Sequence, residues 1–239
     1  MSLLTEQIVA SLTDNVIPGK AEYFPRFFKS GQGEYGEGDQ FLGVTVPVQR
    51  KIAKAVYKEI SLGEIEELLH NNYHEVRLTA LFILVYRYQK LTNEAERKLL
   101  VDFYLKNLDC VNNWDLVDSS CHHILGHYYL EKEKALFFAL ADSGHLWRQR
   151  IAMISSYYWI KRGFFEDALG LAEKLINHPH DLIHKAVGWM LREIGNQDFE
   201  VEMAFLRKHY AIMPRTALRY AIEKFDPSLR RLFLDGSFE

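Results

Sequence analysis

Trp114 and Asp118 are the residues whose types and spacing best suit chemistry. They lie four residues apart in Asn112-Asn-Trp-Asp-Leu-Val-Asp-Ser119, so on a helix they share one face, with about 5 to 6 Å between their Cβ atoms. An aromatic plane beside a carboxylate can hold a cationic ligand. Asp115 points in a different direction and follows Asn113, so we interpret it as a residue that supports the start of the helix.

Trp189 repeats this arrangement with a charge of the opposite sign. Lys185 precedes it by four residues in Lys185-Ala-Val-Gly-Trp-Met-Leu-Arg192, and Trp147 begins a further segment of similar character. A single tryptophan on a helix is usually a core residue. Because the pairing with a charge occurs twice, we interpret Trp114 and Trp189 as residues that contact a ligand.

Five similar segments carry a charged residue at an equivalent position: Arg77, Asp118, Arg150, Lys185 and Arg215, separated by 41, 32, 35 and 30 residues. These intervals are typical of two-helix solenoid repeats. Stacked repeats would place the five side chains in a row near helix N-termini, where anions are favoured. The four cations predict a basic groove for a phosphate backbone. The alternative is a row of surface ion pairs.

Asp118 is the one anion of this row. Cationic neighbours favour the ionised form of a carboxyl group. We therefore expect Asp118 to be ionised at neutral pH and to stabilise positive charge rather than donate a proton.

The elements that must position these residues are helices. Apolar residues recur at spacings of three and four without sustained alternation, which predicts an all-α fold. Short connections favour antiparallel neighbours, and we expect one domain over residues 1–239, a right-handed α-solenoid of about six to seven HEAT-like helix pairs with a concave groove. The predicted helices are 2–14, 18–30, 47–60, 62–71, 74–90, 93–107, 113–129, 131–143, 146–162, 164–177, 181–195, 198–210, 214–225 and 227–234.

Composition narrows the class of protein. The net charge of -3 and the pI near 6.4 are a mild argument against nucleic acid as a partner, unless one face is locally basic. No apolar run approaches the roughly 20 residues that span a bilayer. The first residues lack the pattern of a signal peptide, so we expect a cytoplasmic, monomeric protein without a membrane anchor.

The cysteines and histidines do not predict a metal or redox site. Cys110 and Cys121 match no zinc or redox spacing, which favours buried free thiols. His123 and His127 are four residues apart, but the glutamate of a His-Glu-x-x-His motif is missing. We expect neither a metal nor a cofactor.

Residues 30–39 differ from the rest of the chain. The segment Ser30-Gly-Gln-Gly-Glu-Tyr-Gly-Glu-Gly-Asp39 holds four glycines, which predicts a mobile loop or an adaptable edge. It lacks the Gly-Lys-Ser/Thr ending of a phosphate-binding loop.

Taken together, the motifs resemble those of the DNA alkylation repair glycosylases, the AlkD family of helical-repeat proteins, over most of the chain. The matching motifs are Lys20-Ala-Glu22 with Arg26, Gly43-Val-Thr-Val-Pro47 followed by Arg50, Trp114-Asp-x-Val-Asp-Ser119, Trp147-x-Gln-Arg150, Lys185-Ala-Val-Gly-Trp-x-Leu-Arg-Glu193 and Arg215-Thr-Ala-Leu-Arg-Tyr-Ala-Ile222. Two features depart from the family pattern: the glycine-rich segment, and Phe27 where some members have tyrosine.

The resemblance implies a function and a site. Family members excise purines alkylated at N3 or N7 from duplex DNA and leave an abasic site. The resemblance places Trp114, Asp118, Arg150 and Trp189 around the damaged nucleotide, with Asp118 as the catalytic residue. We expect backbone phosphates to be bound by Lys185, Arg215, Arg77 and Arg50.

The sequence leaves two other functions open. A catalytically inactive relative would keep the groove and recognise distorted or branched DNA. A protein-binding scaffold would hold a peptide on the same face. The joint presence of Asp118 and both tryptophans favours the enzyme, and since no nucleophilic lysine is required, we expect a monofunctional glycosylase.

Overall fold

The computed structural model describes residues 2–238 and is built from helices. Within this range the β-type pairing is a single isolated bridge between Gln40 and Tyr73, and no helix combines the length and hydropathy of a membrane span. The predicted all-α helical-repeat fold is confirmed. The chain divides into two compact units, unit 1 (Met1–Ser120) and unit 2 (Cys121–Glu239). The expectation of one domain stays a prediction.

The helices of unit 1 begin where the sequence supplies capping groups. Ser61 and Glu64 form a reciprocal capping box, and the Asn93 side chain accepts two backbone N–H groups of the next helix. A short 3₁₀ turn, Leu108–Cys110, precedes the last helix. The α-helices are α1 (Leu3–Thr13), α2 (Lys20–Phe27), α3 (Val46–Val56), α4 (Leu62–Leu69), α5 (His74–Lys90), α6 (Glu94–Lys106) and α7 (Trp114–Asp118).

Helix α5 forms the centre of unit 1. Residues 74–85 are buried without interruption, because α5 packs against α1, α3, α4, α6 and α7. A helix that is covered on all sides has no solvent-facing stripe. The polar groups at its start must therefore find partners inside the protein.

Helix α12 has the same central place in unit 2 and packs against α9, α11, α13 and α14. The last helix starts after the Asp226 cap with Pro227 at its first position and ends at Gly236, whose φ is 72°. The elements are a π-helix (His122–Gly126), α8 (Ala135–Ala141), α9 (Leu146–Ser155), α10 (Tyr157–Ile160), α11 (Glu166–Leu175), α12 (Asp181–Gly195), α13 (Phe199–His209), α14 (Arg215–Ala221), a 3₁₀ turn (Ile222–Lys224) and α15 (Pro227–Asp235).

The charged row lies near the starts of corresponding helices. Its members are within the first five residues of α5, α7, α9, α12 and α14. Within unit 1, α5 packs against α7, and within unit 2, α9 packs against α12 and α12 against α14. The structure therefore agrees with the predicted repeat register inside each unit.

Two helices were wrongly predicted to be continuous. The stretch 113–129 is broken between α7 and the π-helix, and 146–162 is broken between α9 and α10. A serine lies at each break: the Ser120 hydroxyl donates to the Leu116 carbonyl at 2.5 Å, and the Ser156 hydroxyl donates to the Met153 carbonyl at 2.6 Å. Such side-chain bonds compete with the helical pattern and bend it.

Candidate functional site

Helix α7 brings Trp114 and Asp118 to its first and last positions. Its start is fixed by Asn113, which is fully buried and whose side-chain oxygen accepts the Trp114 N–H at 2.8 Å. Trp114 and Asp118 are both half-buried. The predicted i, i+4 pair is thus present on a short, capped helix and partly accessible to a ligand.

An aromatic stack holds the Trp114 ring. Phe28 lies parallel to it with ring centroids 5.3 Å apart, and Phe27 meets it edge-on at 5.5 Å. Phe28 in turn stacks on Phe41 at 5.1 Å and contacts the His74 ring at 4.7 Å. Phe27, near the place where the family resemblance leads us to expect a tyrosine, is exposed. The stack fixes the orientation of Trp114 from inside unit 1.

Beneath this stack lies a buried charged cluster of Asp39, His74, Arg77 and Asp115. His74 Nδ1 is 3.0 Å from Asp39 Oδ2, and its Nε2 is 2.8 Å from Asp115 Oδ2. Arg77 Nη2 donates to Asp39 Oδ1 at 2.6 Å. The His74, Arg77 and Asp39 side chains are less than a tenth exposed. The cluster links α5 to the first turn of α7 and to residue 39.

Electrostatics keep the cluster charged. Burial works to lower the pKa of His74, but the Asp115 carboxylate and then Asp39 raise that pKa to about 9. Burial also works to raise the pKa of Asp39, but the hydrogen bond from His74 and the charge of Arg77 hold it below its ordinary value. His74 is therefore an imidazolium at neutral pH and donates from both ring nitrogens.

The cluster also anchors the glycine-rich segment. Asp39, its last residue, is fixed by His74 and Arg77, and Gly36 packs so closely that a Cβ there would lie 2.6 Å from the Phe28 carbonyl oxygen. Residues 36 and 39 are therefore anchored, and the expectation of a mobile loop or an adaptable edge stays a prediction for the exposed residues 31–34. Only glycine fits at residue 36.

Glu75 explains the Gly43-Val-Thr-Val-Pro47 motif. Its buried carboxylate accepts the backbone N–H groups of Leu42, Gly43 and Val44 at 3.0, 2.7 and 3.2 Å. Gly43 has a φ of 91°, and a Cβ there would lie 2.9 Å from the backbone nitrogen of Ala21. The motif is structural: it closes a turn against the start of α5.

In unit 2, polar contacts hold Trp189. Its indole N–H donates to Glu193 Oε1 at 3.1 Å, and Glu193 Oε2 is 3.6 Å from Lys161 Nζ. The Tyr157 ring is tilted against it at 5.8 Å. Trp189 is half-buried, so part of its ring is accessible. Trp147, by contrast, is buried in the core.

The cations of unit 2 that were predicted to contact the damaged nucleotide (Arg150) or backbone phosphates (Lys185 and Arg215) occupy different environments. Arg150 is buried and donates to the Leu182 carbonyl. Lys185 is 2.7 Å from Asp181 Oδ2. Arg215 is exposed and donates at 2.6 Å to a backbone carbonyl of α15. The roles of these residues stay predictions, and an ion-paired Lys185 agrees with the alternative of surface ion pairs.

Arg77 and Arg50 differ in the same way. Arg77 is 6% exposed and bound within the charged cluster, so we do not retain it among the phosphate ligands. Arg50 lies over the Phe82 ring at 4.0 Å and donates to the Tyr86 hydroxyl at 3.4 Å. It is half-buried, which leaves part of the guanidinium accessible.

No group of three or more His, Cys, Asp or Glu side chains in residues 2–238 has the arrangement of a metal site. Of the two histidines considered from the sequence, His123 is the second residue of the π-helix and His127 directly follows its last residue. Both cysteines are free thiols, with Cys121 buried and Cys110 half-buried.

Three residues that support the site were not predicted from the sequence: His74, Asp39 and Glu193. His74 carried a detectable signal, because it lies three residues before Arg77 at the start of a helix whose residues 78–85 are almost all apolar. Asp39 was hidden inside the glycine-rich segment. Glu193 follows Trp189 by four residues, which is the spacing already noted for Trp114 with Asp118.

The fold and these residues define an all-α helical-repeat protein that presents half-buried tryptophans beside charged side chains. The chain belongs to the DNA alkylation repair enzyme family, whose model matches residues 8–225. It is similar in fold to a solved protein from Enterococcus faecalis described as a predicted DNA alkylation repair enzyme, with a TM-score of 0.64 and 15% identity over 89% of this chain and 98% of that one. No curated protein matches the sequence. Family membership gives the chain a role in the repair of alkylated DNA.

Proposed function

We propose that the protein is a monofunctional DNA glycosylase that hydrolyses the N-glycosidic bond of N3- or N7-alkylated purines in duplex DNA and leaves an abasic site. The observation that carries this proposal is helix α7, which holds Trp114 and Asp118 on one half-exposed face above a rigid aromatic and charged support. Family membership supplies DNA as the partner.

The substrate's own charge sets what the protein must do. An N3- or N7-alkylated purine is cationic, so it leaves as a neutral base when the C1′–N bond breaks and the electron pair moves to the base nitrogen. Water adds to C1′, and its proton is released to solvent. No strong general acid is needed.

Asp118 is the proposed catalytic residue. Positive charge spreads over the sugar as the bond breaks, and a fixed carboxylate beside it stabilises that charge. The same oxygen can orient the attacking water. The cap at Asn113 and the buried support of α7 favour a fixed carboxylate position, which electrostatic stabilisation requires.

Trp114, beside Asp118, is the proposed ligand of the cationic nucleoside, and Trp189 is a second candidate ligand, in unit 2. A cation over an indole face is stabilised by roughly 0.5 to 2 kcal/mol, depending on desolvation. A neutral base gains less, so the contact also selects damaged over undamaged purines. Lys185 and Arg215 are proposed to contact backbone phosphates. Arg150 stays a candidate substrate ligand, as the family resemblance implies.

Release of 7-methylguanine or 3-methyladenine from methylated duplex DNA tests the proposal. We expect release by the wild-type protein, and a rate lower by roughly 100-fold or more for Asp118→Asn, with binding of the same DNA retained. Asp102→Asn, an exposed carboxylate paired with Lys98, is the matched control. Equal release by both variants would remove Asp118 from the mechanism.

Two outcomes would assign a different function. DNA binding without base release by any form of the protein would identify a non-enzymatic DNA-binding relative. Failure to bind duplex DNA even at low salt would favour a protein-binding scaffold. Trapping of a covalent adduct by borohydride would contradict the monofunctional mechanism, since it requires a Schiff base.

A further inference from the structure

Helices α3 and α5 pack side by side and carry cations where they meet. Arg50 and Lys54 lie four residues apart on α3, and Lys58 continues the spacing just beyond its end. Arg87 and Lys90 lie on the last turn of α5. We call these five residues the basic seam.

Aromatic rings join the two helices along the seam. Lys54 Nζ lies 5.6 Å from the Tyr86 ring centroid, and the Tyr57 and Tyr86 rings meet edge-on at 6.3 Å. Tyr86 also accepts the hydrogen bond from Arg50. The stems of these side chains thus pack against aromatic rings, while Lys54, Lys58 and Lys90 remain exposed.

The seam ends in an open depression of about 450 Å³. Arg87 Nη1 donates to the Ile60 carbonyl at 2.8 Å, which fixes the guanidinium. Lys58 and Lys90 are exposed. Three cations therefore surround one depression, which is lined by Tyr57, Lys58, Arg87, Lys90 and Leu91.

The seam lacks compensating carboxylates. None of its five residues has a carboxylate within salt-bridge distance in the described part of the chain. Helix α3 contains no acidic residue, and Glu75, the single acidic residue of α5, is engaged by backbone N–H groups. Several exposed lysines elsewhere are paired with acids, as at Lys98, Lys106, Lys174 and Lys208.

An unpaired run of cations in a chain of net charge -3 indicates a polyanionic ligand. Like charges repel one another, and an anion that bridges them relieves the repulsion. Along α3 the cations recur at roughly 6 Å intervals, since four residues rise by that distance. A repeating anion can use all of them, whereas a single phosphate would reach one or two.

We propose that the basic seam binds the phosphodiester backbone of duplex DNA as an accessory contact in unit 1, separate from the base-excising residues. The inference rests on the proposed function only in taking DNA as the partner. Contacts of this kind fix the position of the duplex without reading its sequence. The local seam explains how a slightly acidic protein binds DNA.

The triple variant Lys54→Gln, Lys58→Gln and Lys90→Gln tests the seam, because all three side chains are exposed and their loss leaves the core intact. Its control is Lys98→Gln, Lys106→Gln and Lys208→Gln, which changes the net charge equally but removes lysines that already have acidic partners. We expect the seam variant to bind an undamaged duplex roughly 10-fold more weakly. The log–log salt dependence of its binding constant should become shallower by roughly 2 to 3, since each neutralised phosphate contributes about 0.9 to that slope.

Base release at saturating protein separates this inference from the proposed function. If the seam variant binds less tightly than the control but the wild-type protein releases no base, the glycosylase proposal fails and the seam stands. If both variants bind DNA like the wild type, the seam proposal fails whatever the release assay gives. Tight calorimetric binding of inorganic phosphate by the wild-type protein, with equal DNA affinity in both variants, would instead assign the seam to a small anion.

Discussion

The two units bury charged groups in opposite ways. In unit 1, the charged cluster pairs two cationic and two acidic side chains through hydrogen bonds of 2.6 to 3.0 Å. In unit 2, Glu202 of α13 is 1% exposed and forms no salt bridge among the described residues. Its Oε1 has no hydrogen-bond partner there, which is also true of Asp115 Oδ1 and Arg77 Nε in the cluster. A side chain at residue 195 would collide with this carboxyl group, so Gly195 makes the room for it.

The protonation of the two sites differs accordingly. Burial raises the pKa of Glu202 to about 8, and the Arg192 charge opposes this only in part. Arg192 is itself paired with Glu223. At neutral pH, Glu202 is therefore mainly an uncharged acid, whereas His74 is charged because two carboxylates surround it. A buried ionisable group stays charged where partners are supplied and becomes neutral where they are not.

Only the paired arrangement lies beneath candidate site residues. The charged cluster holds α7, and the aromatic stack connects its His74 ring to Trp114 through Phe28. Glu202 has no described contact with Trp189 or its partners. Unit 1 therefore uses buried ion pairs to position candidate site residues, whereas the buried carboxyl group of Glu202 in unit 2 is mainly uncharged at neutral pH and positions none of them.

His74→Ala should give the largest effect, because it leaves Asp39 and Asp115 buried without their shared donor. We expect a loss of about 3 to 5 kcal/mol in the free energy of unfolding, measured with urea near pH 6. His74 keeps its proton up to about pH 9 in the folded protein but only to about pH 6.5 in the unfolded chain. Wild-type stability should therefore fall as pH rises from 6.5 through 9.

The control for this prediction is His70→Ala. His70 is exposed and contacts the Glu66 carbonyl within its own helix, so its loss should change stability by less than about 0.5 kcal/mol. Equal stability of the two variants, or a wild-type curve that is flat above pH 6.5, would show that the cluster does not stabilise unit 1.

Glu202→Gln should stabilise the protein in alkaline solution. The unfolded carboxyl ionises near pH 4.5 and the folded one near pH 8, so wild-type stability falls as pH rises through this window. The variant lacks that loss, and we expect it to be more stable by up to about 4 kcal/mol at pH 8, and by about 1 kcal/mol at pH 5. Thermal unfolding of both proteins across the pH range measures this difference in stability.

Glu200→Gln is the matched control, since Glu200 lies on the same helix but is exposed. Its pH dependence should follow that of the wild type. A Glu202→Gln curve that also follows the wild type would mean that Glu202 finds a partner when it ionises, and the contrast between the two units would disappear.

Glu193 should give the smallest effect, because its contacts are half-exposed. We expect Glu193→Ala to change stability by less than about 1 kcal/mol but to shift the Trp189 indole N–H resonance in an NMR spectrum. Glu193→Gln keeps an oxygen acceptor and should leave that resonance close to its wild-type position. A resonance that is unmoved in both variants would mean that Glu193 does not orient Trp189.

Much of the fold could be predicted from the sequence. Outside the two broken stretches, the predicted helix ends lie within four residues of those observed, because apolar periodicity and capping residues act over short distances. The positions of the five charged residues near helix starts could be predicted from the same local signals. The breaks were missed because a serine that bends a helix and one that points to solvent have the same local pattern.

The support of the site was harder to predict, since its partners are distant in the chain. Asp39 and Asp115 meet at His74 across 35 and 41 residues, and no local rule links them. Arg77 is an example. Its position in the repeat was predicted correctly, but its burial, which argues against phosphate binding, depends on the distant Asp39. By contrast, Trp114 and Asp118 could be selected because their relationship lies within one helical turn.

The glycine-rich segment determines where the chain can accept inserted residues. The start of α5 fixes the end of the segment through the contacts of His74 and Arg77 with Asp39. It also fixes the residues that follow, 42–44, through hydrogen bonds to Glu75. Residues 31–34 lie before these anchors and are exposed. Inserted residues there would extend into solvent while the anchored end keeps α7 in place. The tip of the segment is therefore a suitable position for an inserted label or tag, and a place where related chains can differ in length without rebuilding the site.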